Sequence, residues 1–160
     1  MNRKGFTLIE LLAVIVVLGL VVLISVPIIS DAYTKSKIKS EEVFVDRLTQ
    51  AIDSYVKLNG IEYQSTGNGR KTENGKEYDI TYQKGVITIN DIIKDGILTQ
   101  KDFVNAGNKE ISCNTAAEVE VYKDSDFVYC YKMKKNSLNC LTDAYKDKIG
   151  DYAIDTCEWK

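Results

Sequence analysis

An α+β fold, one long amino-terminal helix packed on a small antiparallel β-sheet head, follows from three features of the sequence. The chain opens on MNRKGFTLIELLAVIVVLGLVVLISVPIIS, a basic start running straight into an apolar stretch. Apolar residues then recur at helical spacing as far as Asn59-Gly60. Beyond that pair, short runs rich in Tyr, Val, Ile and Thr alternate with Gly, Asn and Asp clusters, the pattern of strands and turns. The chain has 160 residues. With about thirty of them in the leader and apolar segment, room is left for one small globular domain.

Residues 11–29 carry no charge. In a helix they reach about 28 Å, close to the roughly 30 Å hydrocarbon core of a bilayer, so the segment reads as a membrane-spanning helix. Glu10 does not forbid insertion. The Leu, Ile and Val residues contribute roughly −4 to −9 kcal/mol, against about +2.5 to +3.5 for an acid at the helix centre and less near the end. An intramembrane carboxylate marks a functional site, because it needs a partner that the rest of this segment does not supply.

The run Lys4-Gly5-Phe6-Thr7-Leu8-Ile9-Glu10-Leu11-Leu12 resembles the processing and assembly motif of type IV prepilins and pseudopilins. The resemblance implies a leader at residues 1–5 and a cut between Gly5 and Phe6 by a prepilin peptidase. It further implies N-methylation of Phe6, with Glu10 as the fifth mature residue and the assembly acid. Gly19 and Pro27 fall where many pilins carry helix-weakening residues. Beyond Ser30 the likeness is one of architecture.

The motif makes physical sense by itself. Cleavage exposes a cation at Phe6, and in an apolar medium a cation beside Glu10 of a neighbouring subunit neutralises an otherwise costly charge. An out-of-register subunit would leave both groups unpaired, so the pair sets register. An ordinary secretory signal has a shorter apolar region and a small-residue cleavage site after it. This apolar run is longer and lacks that site, which favours its retention in the mature protein. Arg3 and Lys4 favour a cytoplasmic amino terminus while Lys35, Lys37 and Lys39 flank the other side. The resemblance decides for amino terminus inside, head outside.

The divisions expected are a leader at 1–5, a transmembrane and filament-core helix at 6–30, an amphipathic helix at 31–60 and a β-rich head at 61–160. Ile38, Val45, Leu48, Ile52 and Tyr55 supply one apolar helix face, and Gly60 supplies the stop. Pro27 in a helix interior predicts a kink or local melting around 23–27, a feature that membrane helices also tolerate without functional meaning.

Residues 61–77 lack periodicity and read as a solvated loop; the pilin resemblance implies a surface-exposed region there, a candidate contact surface on a fibre. Residues 78–82 and 86–89 read as two strands joined across Gln83-Lys84-Gly85. Asn90 or Asp91 then caps a short helix stopped by Gly96. Residues 118–122 and 127–133 read as a hairpin with Phe127, Tyr129, Tyr131 and Met133 on one face, core or adhesive. Residues 137–142 suggest another strand, followed by an irregular, disulfide-tied tail.

Cys113, Cys130, Cys140 and Cys157 contain no close pair and there is no histidine, so disulfides are expected and metal ligation is not. Three pairings are open. The pilin resemblance, in which a disulfide closes a carboxy-terminal loop, implies Cys140 with Cys157 and Cys113 with Cys130. Asp143, Asp147, Asp151 and Asp155 lack the glycine and glutamate of an EF-hand and read as solvated charges.

Without histidine there is no Ser-His-Asp triad, and no Gly-rich phosphate loop precedes a helix, so an enzyme is not expected. The net charge of −2 becomes −4 once Arg3 and Lys4 leave with the leader, and Lys132, Lys134 and Lys135 are too small a basic cluster for nucleic acid. No cofactor is expected. The partners implied are membrane lipid before assembly, the prepilin peptidase, inner-membrane assembly machinery, and copies of itself and other pilins in a filament serving adhesion, motility or aggregation. The rivals are a pseudopilin for secretion or DNA uptake and a single-pass, membrane-anchored extracellular binding module.

Overall fold

Helix α1, Leu8–Asn59, is assigned without interruption. A computed structural model describes residues 7–158 apart from 74, 102, 106 and 107, and the side chains of 24–28 and 108–110 also fall outside the description. The chain divides into two units, Met1–Lys37 and Ile38–Lys160. In the first unit the described apolar side chains from Leu8 to Leu23 are uncovered, at 49% to 83% exposure. Among the described residues no helix is long and apolar enough to cross a membrane. The expected span of 11–29 runs into residues 24–28, whose side chains lie outside the description; the continuously described apolar stretch extends from Leu8 to Leu23, about 24 Å. The helix assignment runs through Gly19 and Pro27, and the side chain of Pro27 lies outside the described residues.

In the second unit the amphipathic part of α1 folds as its periodicity requires. Val45, Leu48, Ala51, Ile52 and Val56 are buried, while Ile38 and Tyr55 pack against the same core at its margin. Gly60 ends the helix in the left-handed region at φ 66, its N–H donating to the Val56 carbonyl (3.0 Å).

Strand β1, Ser65–Glu73, and strand β2, Lys76–Thr88, form an antiparallel hairpin from Ser65↔Lys84 to Glu73↔Lys76. This corrects the loop expected at 61–77 and the two short strands expected at 78–82 and 86–89. The polar segment buries little and so carries no apolar alternation; pairing with β2 orders it. Glycine matters here because the Tyr82 ring lies against Gly67, where a Cβ would stand 2.6 Å from ring atoms. Helix α2, Ile89–Lys94, is capped by Thr88 rather than by Asn90 or Asp91. Asp91 supplies the reciprocal bond to the Thr88 N–H (2.9 Å), a full capping box, and Gly96 follows at φ 80.

Strands β3, Val104–Asn105, and β4, Asn108–Ser112, form a separate pair. Strands β5, Glu118–Asp124, and β6, Tyr129–Lys134, form the expected hairpin, with its turn displaced to 125–128. Tyr131 and Met133 enter the core, Tyr129 packs at its edge and Phe127 stays 71% exposed, so the expected aromatic stripe is core only in part.

No strand forms at 137–142, where the chain turns. The tail is more regular than expected: helix α3, Asp143–Lys146, is followed by strand β7, Tyr152–Asp155. Among the described residues one sheet has the order β1-β2-β5-β6-β7, antiparallel throughout. Its inner face contributes Ile87, Val119, Val121, Met133 and Ile154 to one core with α1, the α+β fold that the sequence implies.

The disulfides join Cys113 to Cys140 and Cys130 to Cys157, with Cα atoms 4.9 and 5.0 Å apart, and not the pairing that the resemblance implied. Strand pairing decides it. The Thr156 N–H donates to the Tyr131 carbonyl (3.0 Å), which carries Cys157 alongside Cys130 on β6. The Asn114 N–H donates to Asn139 Oδ1 (2.8 Å) and its side-chain amide donates to the Ser137 carbonyl (3.3 Å), setting Cys113 beside Cys140.

Candidate assembly site at the amino terminus

Gly5 and Phe6, the expected cut and methylation positions, lie outside the described residues. The site is visible from Thr7 onward. The first turn of a helix leaves N–H groups without partners, and here Thr7 and Glu10 satisfy two of them reciprocally. The Thr7 N–H donates to Glu10 Oε2 (2.8 Å), the Thr7 hydroxyl donates to the same oxygen (2.8 Å), and the Glu10 N–H donates to Thr7 Oγ1 (3.3 Å). Leu11 N–H then closes the first turn on the Thr7 carbonyl (3.2 Å).

Glu10 was expected to lack a partner within its own segment. Thr7 corrects that. Its signal, Thr-x-x-Glu ahead of an apolar run, is the sequence form of a capping box and stands in plain view in FTLIE. The three bonds engage Oε2 and the Thr7 groups, so among the described residues Oε1 stays uncommitted. A carboxylate is thereby held in a fixed position at the positive end of a helix dipole, with one oxygen left for a cation.

The other candidate residues are dispersed. Gly19 has nothing within 4 Å of where a Cβ would stand. Asp143 and Asp147 stand at the two ends of α3, Asp143 beside Lys146 (3.8 Å). Asp155 accepts from the Cys157 N–H (3.2 Å) and lies 3.9 Å from Lys132. Among the described residues no cluster of acids and cysteines could hold a metal ion. Lys132 lies over the Tyr152 ring (5.5 Å) and Lys135 donates to the Lys146 carbonyl (3.4 Å).

Two polar contacts of the head were not singled out in the sequence. Glu41, 1% exposed, accepts from the Thr142 N–H (2.9 Å) and hydroxyl (2.7 Å), tying the cap of α3 to α1. Tyr131 donates its hydroxyl to Asp53 Oδ1 (2.8 Å). Burial alone would raise the Asp53 carboxyl, but the bonds from Lys57 and Tyr131 outweigh it and hold its pKa below the usual value. Neither carried a signal beyond an acid at a helical position whose neighbours face the core.

Residues 1–26 match the family described as the prokaryotic N-terminal methylation motif, the class III signal peptide of type IV pilins and pseudopilins. The motif implies processing by prepilin peptidase and assembly with other pilins. Comparison with curated proteins and with solved structures finds no significant match.

Proposed function

We propose that the chain, carrying that motif, is the precursor of a structural subunit of a type IV pilus. A prepilin peptidase cuts it between Gly5 and Phe6, Phe6 is methylated, and the apolar helix then polymerises into a surface fibre. Before assembly the helix is stored in the cell membrane with its amino terminus in the cytoplasm; afterwards the head faces the exterior. The role is structural and not enzymatic, with adhesion, motility or aggregation as outputs.

The observation that carries this reading is a single acid, Glu10, at the start of a helix whose described apolar side chains as far as Leu23 are all uncovered. Lipid tails are as apolar as these side chains, so leaving the bilayer for a bundle gains little from the hydrophobic effect itself. Packing and charge pairing must then select the arrangement. A secondary ammonium on Phe6 of one subunit meeting Glu10 of the next supplies that selection.

The test is intact-mass and amino-terminal analysis of the protein taken from its native surface. A chain beginning at methylated Phe6, and lighter by the hydrogens of two disulfides, is the expected result. A chain still beginning at Met1 or Asn2 with the peptidase present would overturn the reading and leave an anchored binding module.

A further inference from the structure

The head carries a projecting apolar turn and, elsewhere on its surface, a groove that its own turn does not fill. The turn is 125–128, between β5 and β6. Buried Asp124 builds it: Oδ1 accepts from the N–H groups of Asp126 (2.9 Å) and Val128 (2.8 Å), and the Asp124 carbonyl accepts from Phe127 (3.2 Å). This frame holds Phe127 at φ 63, a left-handed conformation that is costly for a bulky side chain. The strained residue is nonetheless 71% exposed, and Val128 beside it is 47% exposed. Lys123 lies 4.2 Å over the Phe127 ring and leaves the rest of the turn open.

The groove, about 580 Å³, lies between α1 and the segment that follows α2. Phe44, Leu48, Leu98 and Phe103 line it with apolar surface; Leu48 and Phe103 are each 1% exposed, and the two Phe rings stand 5.7 Å apart. Arg47 and Lys101 add two exposed cations. Among the described residues neither these cations nor Asp126 takes part in an ion pair.

We propose that the Asp126-Phe127-Val128 turn of one copy docks in this groove on the next copy, Phe127 entering the apolar floor and Asp126 meeting Arg47 and Lys101. Charge complementarity favours a second copy: the turn offers an acid beside its apolar tip, and the groove offers, beside its apolar floor, two bases that form no ion pair among the described residues. The two surfaces are different patches of one head, so the contact is heterologous. Such a contact repeats from copy to copy, closing into rings or extending as an open helix. Occupied in this way, Phe127 would recover by burial what its backbone conformation costs. The inference rests on the filament reading above and adds to it a contact between heads.

The test places a photoreactive benzoyl-phenylalanine at Phe127 in the full chain, assembled into its own fibres. Expected are intermolecular links from position 127 to peptides containing residues 40–48 or 98–105. The reciprocal probe at Val43, on the groove, should link to 125–128. Asp126→Lys should lower the yield by about tenfold, since like charges would then face each other, and Arg47→Glu with Lys101→Glu should restore it. Phe127→Gly separates contact from folding: glycine accepts the positive φ, so the head should keep or raise its melting temperature while shear resistance of the fibres falls. Fibres whose links map only elsewhere on the copy, or to another protein, would overturn the docking and leave the filament standing. An unsubstituted chain that is never cut and forms no fibres would overturn both.

Discussion

Glu41 shows how much one side chain contributes to holding the head together. It is an acid at 1% exposure, and both its oxygens are taken by Thr142, whose hydroxyl in turn accepts from the Tyr145 N–H (3.4 Å). Hydrogen bonds to a charged group are worth about 1.5–3 kcal/mol each, and removing one partner strands the other. Glu41→Ala should therefore destabilise the head by about 2–4 kcal/mol in denaturant unfolding of the full chain. A loss within about 0.5 kcal/mol, the ordinary surface value, would contradict the tether. Asp53 and Tyr131 give a pH signature instead. The Asp53 pKa is depressed in the fold, so its stabilisation is present above the unfolded value near 3.8 and is lost as pH falls through the lower folded value. Burial and the Asp53 bond raise Tyr131 well above 10, so its contribution is complete below pH 10 and is lost as pH rises beyond it. Asp53→Asn should flatten the acid limb of a stability–pH curve. An unchanged acid limb would show that the contact does not persist in solution.

At the scale of elements, the sequence was legible where burial follows chain period. The face of α1 at Val45, Leu48 and Ile52, with Gly60 as its stop, could be read directly because one residue in three or four faces the core, whereas Val56 takes the core position that Tyr55 was expected to fill. Strand β1 could not. STGNGRKTE contains no alternation to find, since it lies at the sheet edge and is ordered by a ladder whose other half sits in β2. The cysteine pairing was hidden for a related reason: which thiols meet depends on β7 joining β6, a long-range pairing invisible in spacing. The Thr88 cap was not read from the sequence: Asn90 and Asp91 are better capping types, but the helix already starts at Ile89, which puts Asp91 at the third helical position instead. Each disulfide spans 27 residues, a loop whose closure is worth about 3–4 kcal/mol in the chain-entropy model. Replacing Cys130 and Cys157 with Ser should lower stability by about that amount and release the chain after β7. Peptide mapping under non-reducing conditions should return Cys113 with Cys140 and Cys130 with Cys157; a Cys140–Cys157 peptide would refute the observed topology.

For the molecule as a whole, the question is whether Glu10 serves the helix or the fibre. Its bonds to Thr7 are those of a capping box, and loss of a cap costs about 0.5–2 kcal/mol whichever partner is removed. If capping were its whole purpose, Thr7→Val and Glu10→Ala would be equally mild. If Glu10 also neutralises the amino-terminal cation of a neighbour, only Glu10→Ala leaves that cation unpaired in an apolar bundle, where breaking such a pair costs about 3–5 kcal/mol. The expected result is that both variants are cut after Gly5 and keep the melting temperature of the head, because position 10 belongs to the unit Met1–Lys37 while the core lies in Ile38–Lys160. Thr7→Val should still assemble, and Glu10→Ala should accumulate unassembled in the membrane fraction. Fibre counts from sheared cells and the mass of the stored chain measure both quantities. Equal fibre yield from the two variants would reduce Glu10 to a cap, and the register of the assembly would then have to come from contacts between heads.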